Sequence, residues 1–290
     1  MKKNLLLLGV NGMLGHTLFK YFFNSNKVNT YGLLRNKQKL SNNKFLFTNK
    51  NINVIEFDKI EQIIEKLILW DINILINCVG VVKQNRNAFD PLESIKFNAL
   101  FPHELNFLLN KMNIRLIHIS TDCVFSGNKG FYDESDISDA NDLYGRSKFL
   151  GELTQSKAIT LRTSFIGNEL STKQGLLSWF LNQKGTIRGF SKAIYSGVTT
   201  VELAKIIEKY ILPNENLKGL YHVSAEPINK FDLLSIINEV YAKDIKILKD
   251  ETYKINRSLD STKFREATGF KPSKWYKVIE EMKEFDEVKP

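Results

Sequence analysis

The sequence contains little cysteine, histidine and proline, and it has no long apolar run. Among 290 residues there are two cysteines, four histidines and six prolines. The histidines are scattered without ligand spacing, so we expect no structural metal site. Cys78 and Cys123 each lie in an apolar, strand-like run, which favours reduced thiols and a cytoplasmic location. Because no apolar run approaches about 18 residues, no membrane span is predicted.

The net charge is positive, but the basic residues are not arranged as in nucleic-acid-binding proteins. The net charge is +9, and 33 of the 41 basic residues are lysines spread along the chain. Nucleic-acid binding proteins concentrate lysine and arginine on one face or in a recognisable motif, and neither pattern occurs here. We therefore expect no nucleic-acid partner. A modest positive field instead suits a phosphorylated cofactor and a phosphorylated substrate.

Apolar strands and amphipathic helices alternate through the first half of the chain. Strands are predicted at residues 3–10, 28–34, 54–57, 73–82, 115–120 and 159–163. Helices are predicted at residues 11–24, 60–69, 92–111 and 144–157. Strands separated by helices indicate an α/β protein with a doubly wound parallel sheet, the Rossmann arrangement.

The alternation weakens after about residue 165. The shorter elements beyond this point predict a smaller C-terminal α/β domain for the substrate. We therefore expect a dinucleotide-binding domain over 1–165 and a mainly substrate-binding domain over 166–290. The segment at about 190–223 is the part of the second half that can return to the first domain.

A glycine-rich turn follows the first strand directly. Gly9, Gly12 and Gly15 have the spacing G-x-x-G-x-x-G, one residue wider at the first gap than the common dinucleotide fingerprint. In such a turn the first glycine permits the sharp bend, the second lets the backbone approach a pyrophosphate, and the third lets the helix pack closely on the strand. The cofactor-binding residues predicted here are Gly9, Asn11, Gly12, Met13 and Leu14.

The end of the second strand indicates which dinucleotide binds. An acidic residue there would hold the ribose 2′-hydroxyl of NAD, but the sequence reads Leu34-Arg35-Asn36-Lys37. Arg35 and Lys37 are suited to a 2′-phosphate. We therefore expect NADP(H) to be preferred and NAD(H) to remain usable. Asp58 either accepts a hydrogen bond from the adenine amino group or caps the helix that follows.

Tyr144 and Lys148 are four residues apart, which places them on one face of a helix. A neighbouring ammonium favours the phenolate, so Lys148 is predicted to lower the pKa of Tyr144 and make it a general acid. Thr121 lies at the end of the strand over residues 115–120. In an open parallel sheet ligands bind beyond the carboxyl ends of strands, so the Thr121 hydroxyl is expected near a bound cofactor.

Taken together, these segments resemble the extended short-chain dehydrogenase/reductase family, in its dTDP-4-dehydrorhamnose reductase branch. The resemblance rests on residues 9–15, 120–125, 144–148, 197–200 and 259–264. It implies reduction of a 4-keto nucleotide sugar, with Thr121, Tyr144 and Lys148 as the catalytic triad. It also implies that Cys78, Val79 and Gly80 line the cofactor, with Lys148 on its ribose, and that Asn98 is an active-site asparagine. Members of this branch often carry an aromatic residue at the position of Cys123.

The substrate is expected to be a nucleoside-diphosphate sugar. The residues predicted to shape the sugar pocket are Asp122, Val124 and Phe125, and the arginines predicted for the diphosphate are Arg188 and Arg257. Arg162 fits a phosphate contact or a buried ion pair equally well. The nucleotide (dTDP, UDP or GDP) and the sugar stereochemistry stay open, and a homodimer is allowed.

Two alternatives remain at the level of sequence. One is a nucleotide-sugar 4-epimerase or dehydratase of the same family. A dehydratase usually has a second acid after the Thr-Asp pair, where this chain has Cys123, and the basic end at Arg35 disfavours the tightly held NAD of an epimerase. The other alternative is a non-catalytic NADP-binding regulatory subunit, which the intact Thr121, Tyr144 and Lys148 disfavour.

Overall fold

Twelve strands and eleven α-helices make up the described chain, which in this computed structural model comprises residues 2–35, 43–55, 59–82, 90–154, 156–170 and 174–288. The strands are β1 (Lys3–Leu8), β2 (Val28–Leu34), β3 (Ile52–Val54), β4 (Ile74–Asn77), β5 (Arg115–Thr121), β6 (Ile159–Thr163), β7 (Phe165–Ile166), β8 (Gly185–Tyr195), β9 (Val198–Thr199), β10 (Gly219–His222), β11 (Ile228–Asn229) and β12 (Ile245–Asn256). The helices are α1 (Met13–Ser25), α2 (Lys44–Thr48), α3 (Ile60–Leu69), α4 (Pro91–Ser94), α5 (Phe101–Lys111), α6 (Leu143–Leu150), α7 (Leu176–Leu181), α8 (Thr200–Ile206), α9 (Lys230–Val240), α10 (Thr262–Thr268) and α11 (Trp275–Glu287).

Seven parallel strands form the central sheet in the order β10-β6-β5-β4-β1-β2-β3. The strand order reverses between β1 and β4, and this switch point is where open α/β sheets bind ligands. The predicted doubly wound parallel sheet is therefore confirmed. Within the described residues, no helix is long and apolar enough to cross a bilayer.

The apolar run of β1 is explained by burial on both faces of the sheet. Leu5 and Leu7 pack in a cluster with α1, α8 and α11, whereas Leu6 and Leu8 pack in a second cluster with α3 and α5. All four side chains are fully buried. Successive residues of a strand point to opposite faces, so a strand covered by helices on both sides is apolar throughout.

The second half adds a three-stranded sheet in the order β11-β8-β12, in which β8 and β12 run parallel. Neither long strand was predicted from the sequence, because both carry charged residues along an exposed face. Strand β10 joins the central sheet from the same half of the chain. The domain boundaries given above stay a prediction.

Several predicted elements have different bounds in the structure. The helix predicted at 144–157 ends at Leu150, because Gly151 lies against the backbone of Asn98 and a side chain there would collide with the Asn98 carbonyl. The strand predicted at 73–82 is the shorter β4, and β3 covers 52–54, whereas residues 56 and 57 of the strand predicted at 54–57 lie outside the described residues. The helix predicted at 92–111 is one run from α4 to α5 with a π-helical segment, Ile95–Leu100, in its middle.

Candidate active site

The glycine turn lies at the switch point between β1 and α1. Gly9 has φ +83°, a conformation that favours glycine, and its N–H donates to the Leu33 carbonyl at 2.8 Å. A side chain at Gly15 would collide with the Gly9 carbonyl. Gly12 begins α1 without a side-chain cap, so the first-turn N–H groups have no capping oxygen. This is the arrangement that binds a pyrophosphate. Of the remaining residues predicted in the turn, Asn11 and Met13 are half-buried and Leu14 is buried.

The segment after β4 faces the glycine turn across the switch point. The Cys78 N–H donates to the Leu8 carbonyl at 3.2 Å, and a Cβ on Gly9 would lie 3.2 Å from the Cys78 carbonyl carbon. Burial raises the pKa of Cys78 to about 12, so its side chain stays a neutral thiol. At Gly80 an added Cβ would lie 3.1 Å from Asn98 Oδ1 and 4.0 Å from Lys148 Nζ. The segment predicted to line the cofactor therefore joins the glycine turn to Lys148.

Arg35 lies at the exposed end of β2. Its guanidinium stacks over the Phe97 ring at 4.6 Å and lies 4.0 Å from the Glu93 carboxylate. The stacking holds the planar fork at the edge where the adenosine ribose of a dinucleotide would lie. The other two residues predicted in this region, Lys37 and Asp58, lie outside the described residues.

We expect Arg35→Ala to reduce the preference for NADPH over NADH by about 10- to 150-fold, because a charge-assisted pair with the 2′-phosphate contributes about 1.5–3 kcal/mol. Fluorescence titration of both cofactors measures this preference. Arg265→Ala is the control, since Arg265 is also part of a surface ion pair, with Glu226. An unchanged preference in Arg35→Ala would show that Arg35 does not contact the phosphate.

Asn98 links the segment after β4 to α6. Its Oδ1 accepts from the Val81 N–H at 2.8 Å, and its Nδ2 donates to the Val81 carbonyl at 3.0 Å and to Ser147 Oγ at 3.1 Å. The side chain is fully buried in the π-helical segment. Both ends of the amide therefore position backbone and helix in this structure.

Thr121 and Tyr144 come together at the carboxyl end of β5. Thr121 is the last residue of the strand, and its Oγ1 accepts from the Cys123 N–H at 3.1 Å. Tyr144 is in the first turn of α6, and its phenol lies close enough to the Thr121 hydroxyl for that hydroxyl to oppose the rise in the pKa of the phenol. This close approach depends on Gly145, because a side chain there would collide with the Cys123 carbonyl.

The electrostatics of Tyr144 differ from the prediction. Burial raises the pKa of its phenol, and the neighbouring Cys123 and Asp122 raise it further. Lys148 is buried and donates its Nζ hydrogen to the Ile119 carbonyl at 2.8 Å. Burial lowers the pKa of Lys148 to about 8. The prediction that Lys148 lowers the pKa of Tyr144 is therefore wrong for the protein without bound ligands. Burial outweighs the other effects on the phenol, and the Lys148 ammonium points to β5.

A buried polar network lies beneath this group. Ser120 Oγ donates to Glu152 at 2.6 Å, and Arg162 forms an ion pair with the same carboxylate at 2.6 Å. Arg162 also contacts Ser138 and His222 at 3.1 and 3.3 Å. Of the two interpretations of Arg162, the structure supports the buried ion pair. This network fixes the end of β5 relative to α6 and β6.

The residues predicted to bind the substrate lie in three places: Val124 and Phe125 in the core, Asp122 and Arg257 near Thr121, and Arg188 on the surface. Val124 and Phe125 are fully buried with Tyr132, where Phe125 stacks on the Tyr132 ring at 4.1 Å, and their part in shaping the sugar pocket stays a prediction. Asp122 is adjacent to Thr121, with Oδ1 at 3.3 Å from the Thr121 hydroxyl. Burial raises the pKa of Asp122, an effect opposed by Arg257 and Lys230.

Arg257 lies close to Cys123 and Phe125, whereas Arg188 lies elsewhere, on the surface of β8. Arg257 Nε donates to the Phe125 carbonyl at 2.8 Å, and Nη1 lies 3.8 Å from Cys123 Sγ. Arg188 is three-quarters exposed on β8 and pairs with Asp250 at 3.4 Å. It is seven residues before Tyr195 on an extended strand, a separation of about 20 Å. The structure therefore keeps Arg257 as a candidate ligand and gives Arg188 a surface ion pair.

Two residues that the sequence analysis missed border the same pocket. Lys230, the first residue of α9, has its Nζ 4.0 Å from the centre of the Tyr195 ring, and Asp122 and Cys123 act on its charge. Tyr195 ends the unpredicted strand β8 and is buried. Neither residue belongs to a motif. A lysine at the first position of a helix was the only available signal, because helix N-termini disfavour cations.

A glycine turn at the switch point of a doubly wound sheet, with a neighbouring threonine and tyrosine at the carboxyl end of β5, defines a dinucleotide-binding protein of the short-chain dehydrogenase/reductase type. The family model described as RmlD substrate binding domain matches residues 2–286, and the chain belongs to this family. The resemblance drawn from the sequence is thereby confirmed.

Several known proteins are similar to this chain. A dTDP-4-dehydrorhamnose reductase of Aggregatibacter actinomycetemcomitans is 26% identical, with 98% of this chain and 99% of that protein covered. The spore coat polysaccharide biosynthesis protein SpsK of Bacillus subtilis is 30% identical over 59% of this chain and 64% of that protein. The crystal structure of dTDP-4-dehydrorhamnose reductase from Bacillus anthracis in complex with NADP has a TM-score of 0.80 at 20% identity, with 99% of this chain and 100% of that one covered.

Proposed function

We propose that this protein reduces the 4-keto group of a nucleoside-diphosphate deoxy sugar with NADP(H), in the biosynthesis of cell-surface polysaccharide. The observation that carries the proposal is that Tyr144, in the first turn of α6, lies beside Thr121 at the carboxyl end of β5, close enough for the Thr121 hydroxyl to oppose the rise in the pKa of the phenol. The names of the similar proteins, which include dTDP-4-dehydrorhamnose reductase, support the same reaction.

The chain offers a site that fits a dinucleotide. The turn at Gly9 and Gly12 would hold the pyrophosphate on uncapped N–H groups, and Arg35 would hold a 2′-phosphate. Lys148 lies 4.0 Å from where a Cβ on Gly80 would be, so its ammonium borders the segment predicted to line the cofactor. When bound, the cofactor supplies the hydride that reduces C4 of the sugar.

Tyr144 would donate the proton that the new alkoxide needs. Its raised pKa keeps the phenol protonated at neutral pH, which is the state that reduction requires. Thr121 would hydrogen-bond the carbonyl oxygen and hold it next to the phenol. Lys148 would bind the nicotinamide ribose. Arg257, whose guanidinium reaches Cys123, would contact the diphosphate.

We expect Lys148→Met to weaken NADPH binding by about 10- to 150-fold, because a hydrogen bond from a charged group is worth about 1.5–3 kcal/mol. The pKa of Lys148 is about 8, so the wild-type ammonium is present below that pH and is lost above it. Wild-type NADPH affinity should therefore fall as the pH rises through about 8, whereas the variant should show no such step. Titrations from pH 6.5 to 9.5, with Lys205→Met as a surface control, measure both effects. Equal affinities would contradict the ribose role.

The experiment that tests the function is NADPH oxidation with a panel of dTDP-, UDP- and GDP-linked 4-keto deoxy sugars. Turnover with at least one of them supports the proposal and identifies the nucleotide. NADPH binding without turnover on any of them would instead favour the regulatory-subunit alternative. Conversion of a 4-hydroxy nucleotide sugar to its epimer without net NADPH consumption would favour the epimerase.

We also propose that the protein is a cytoplasmic homodimer. The side chains of Leu92 on α4, Leu100 in the π-helical segment, Phe107 on α5 and Leu150 on α6 are exposed apolar groups that a second copy would cover. Light scattering on the wild type and on Phe107→Glu tests this, and a monomeric wild type would contradict it.

A further inference from the structure

Lys230 is a half-buried cation that the described fold does not pair. Burial lowers the pKa of its ammonium, although Asp122 and Cys123 oppose the effect. Within residues 2–35, 43–55, 59–82, 90–154, 156–170 and 174–288, no carboxylate lies within 4 Å of Nζ and no acceptor takes a hydrogen bond from it. Its one close contact is the Tyr195 ring, 4.0 Å away. An ammonium has three N–H donors, and a ring face satisfies none of them as a hydrogen bond.

The position of Lys230 also works against stability. It is the first residue of α9, where the N–H groups already form the positive end of the helix dipole. A second cation, Arg257, acts on the same carboxylate, Asp122. A cation held against partial burial and the helix dipole, next to a carboxylate on which a second cation also acts, is typical of a site that a ligand completes.

The neighbours of Lys230 indicate which part of a ligand it meets. Asp122 and Cys123 follow directly after Thr121, the residue whose hydroxyl would hold the reacting carbonyl. The Tyr195 ring next to the ammonium is buried and also packs on Trp275, so the donors that Lys230 does not direct at the ring are the ones left for a ligand. Lys230 therefore shares a pocket with the groups around the sugar ring.

We propose that Lys230 is a substrate-binding residue that determines specificity, donating hydrogen bonds to an acceptor oxygen on the sugar rather than to the diphosphate. The proposal rests on the proposed function, since it takes the pocket at Thr121 as the sugar site. Such a site selects sugars with a hydroxyl, acyl or carboxylate oxygen near the reacting carbonyl. An analogue without that oxygen leaves the ammonium unpaired and is rejected.

The test compares Lys230→Met and Lys230→Arg with the wild type. We expect Lys230→Met to lower kcat/KM by about 10- to 150-fold, mainly through KM, on the 4-keto nucleotide sugar that the wild type reduces best. Lys230→Arg should recover most of the loss. The dissociation constant of the matching nucleoside diphosphate alone should be unchanged, because Lys230 is assigned to the sugar.

Lys111→Met is the matched control, because Lys111 Nζ also lies 4.0 Å from a ring centre, that of Phe107, on the exposed helix α5. Its kinetics should equal those of the wild type. The melting temperature of Lys230→Met should not fall, since the substitution removes a half-buried charge and keeps the length of the side chain. A normal melting temperature with a raised KM separates a ligand contact from a structural one.

Three results would overturn the proposal. An unchanged KM in folded Lys230→Met would show that the ammonium does not touch the sugar. Weaker binding of the nucleoside diphosphate alone, by the same factor as the loss in kcat/KM, would assign Lys230 to the diphosphate. Failure of the wild type to reduce any 4-keto nucleotide sugar would remove the proposed function and this inference with it, and that outcome is distinct because it appears without any variant.

Discussion

Tyr144→Phe is expected to lower kcat for sugar reduction by about 10²–10⁴-fold, the usual contribution of a general acid. The substitution removes only the phenolic oxygen, which lies near the Thr121 hydroxyl, and it keeps the half-buried ring in place. The fold and NADPH affinity should therefore be unchanged. Steady-state kinetics, a cofactor titration and a thermal melt measure the three quantities.

Tyr253→Phe is a suitable control for this experiment, because Tyr253 is half-exposed on β12, where its ring packs on that of Phe190. It should behave as the wild type. Near-normal turnover by Tyr144→Phe would exclude Tyr144 as the proton donor and leave the Thr121 hydroxyl as the group to examine.

Glu152→Ala is expected to lower the free energy of unfolding by about 3–5 kcal/mol, the cost of removing one partner of a buried ion pair. The change leaves the Arg162 guanidinium buried without its carboxylate, and it also removes the acceptor of Ser120. Urea unfolding monitored by fluorescence gives the difference between variant and wild type.

The control for this prediction is Glu251→Ala. Its partner Lys192 lies at 3.0 Å, but both side chains are about half exposed, so the loss should be about 0–1 kcal/mol. If the two variants lose similar amounts, the buried pair is no stronger than a surface pair, and Glu152 serves only to position Ser120.

The central sheet was predictable because its strands are nearly continuous apolar runs and its helices are periodic. The two long strands β8 and β12 were not, because their exposed faces interrupt the apolar pattern with lysines and acids. Helix α6 was predicted seven residues too long, since its end depends on a contact between Gly151 and Asn98 that are far apart in sequence.

The site could also be predicted only in part, because some of its contacts join residues that are far apart in sequence. The spacing of Tyr144 and Lys148 predicted which residues share a helix face, but not that burial would dominate the phenol pKa or that the Lys148 ammonium would turn to Ile119. Lys230 reaches the pocket from a distant helix, and spacing along the chain carries no information about such contacts.

Asn98 couples the segment after β4 to helix α6, which carries Tyr144. Its amide is bonded at the same time to Val81, in the segment after β4, and to Ser147, on the helix that carries Tyr144. Because the same side chain is hydrogen-bonded on both sides, a displacement of that segment is expected to displace the helix as well. Substitutions in the segment after β4 that alter cofactor choice would therefore also change the distance between the Tyr144 phenol and the oxygen that it protonates. Such variants should be screened for turnover and not for binding alone.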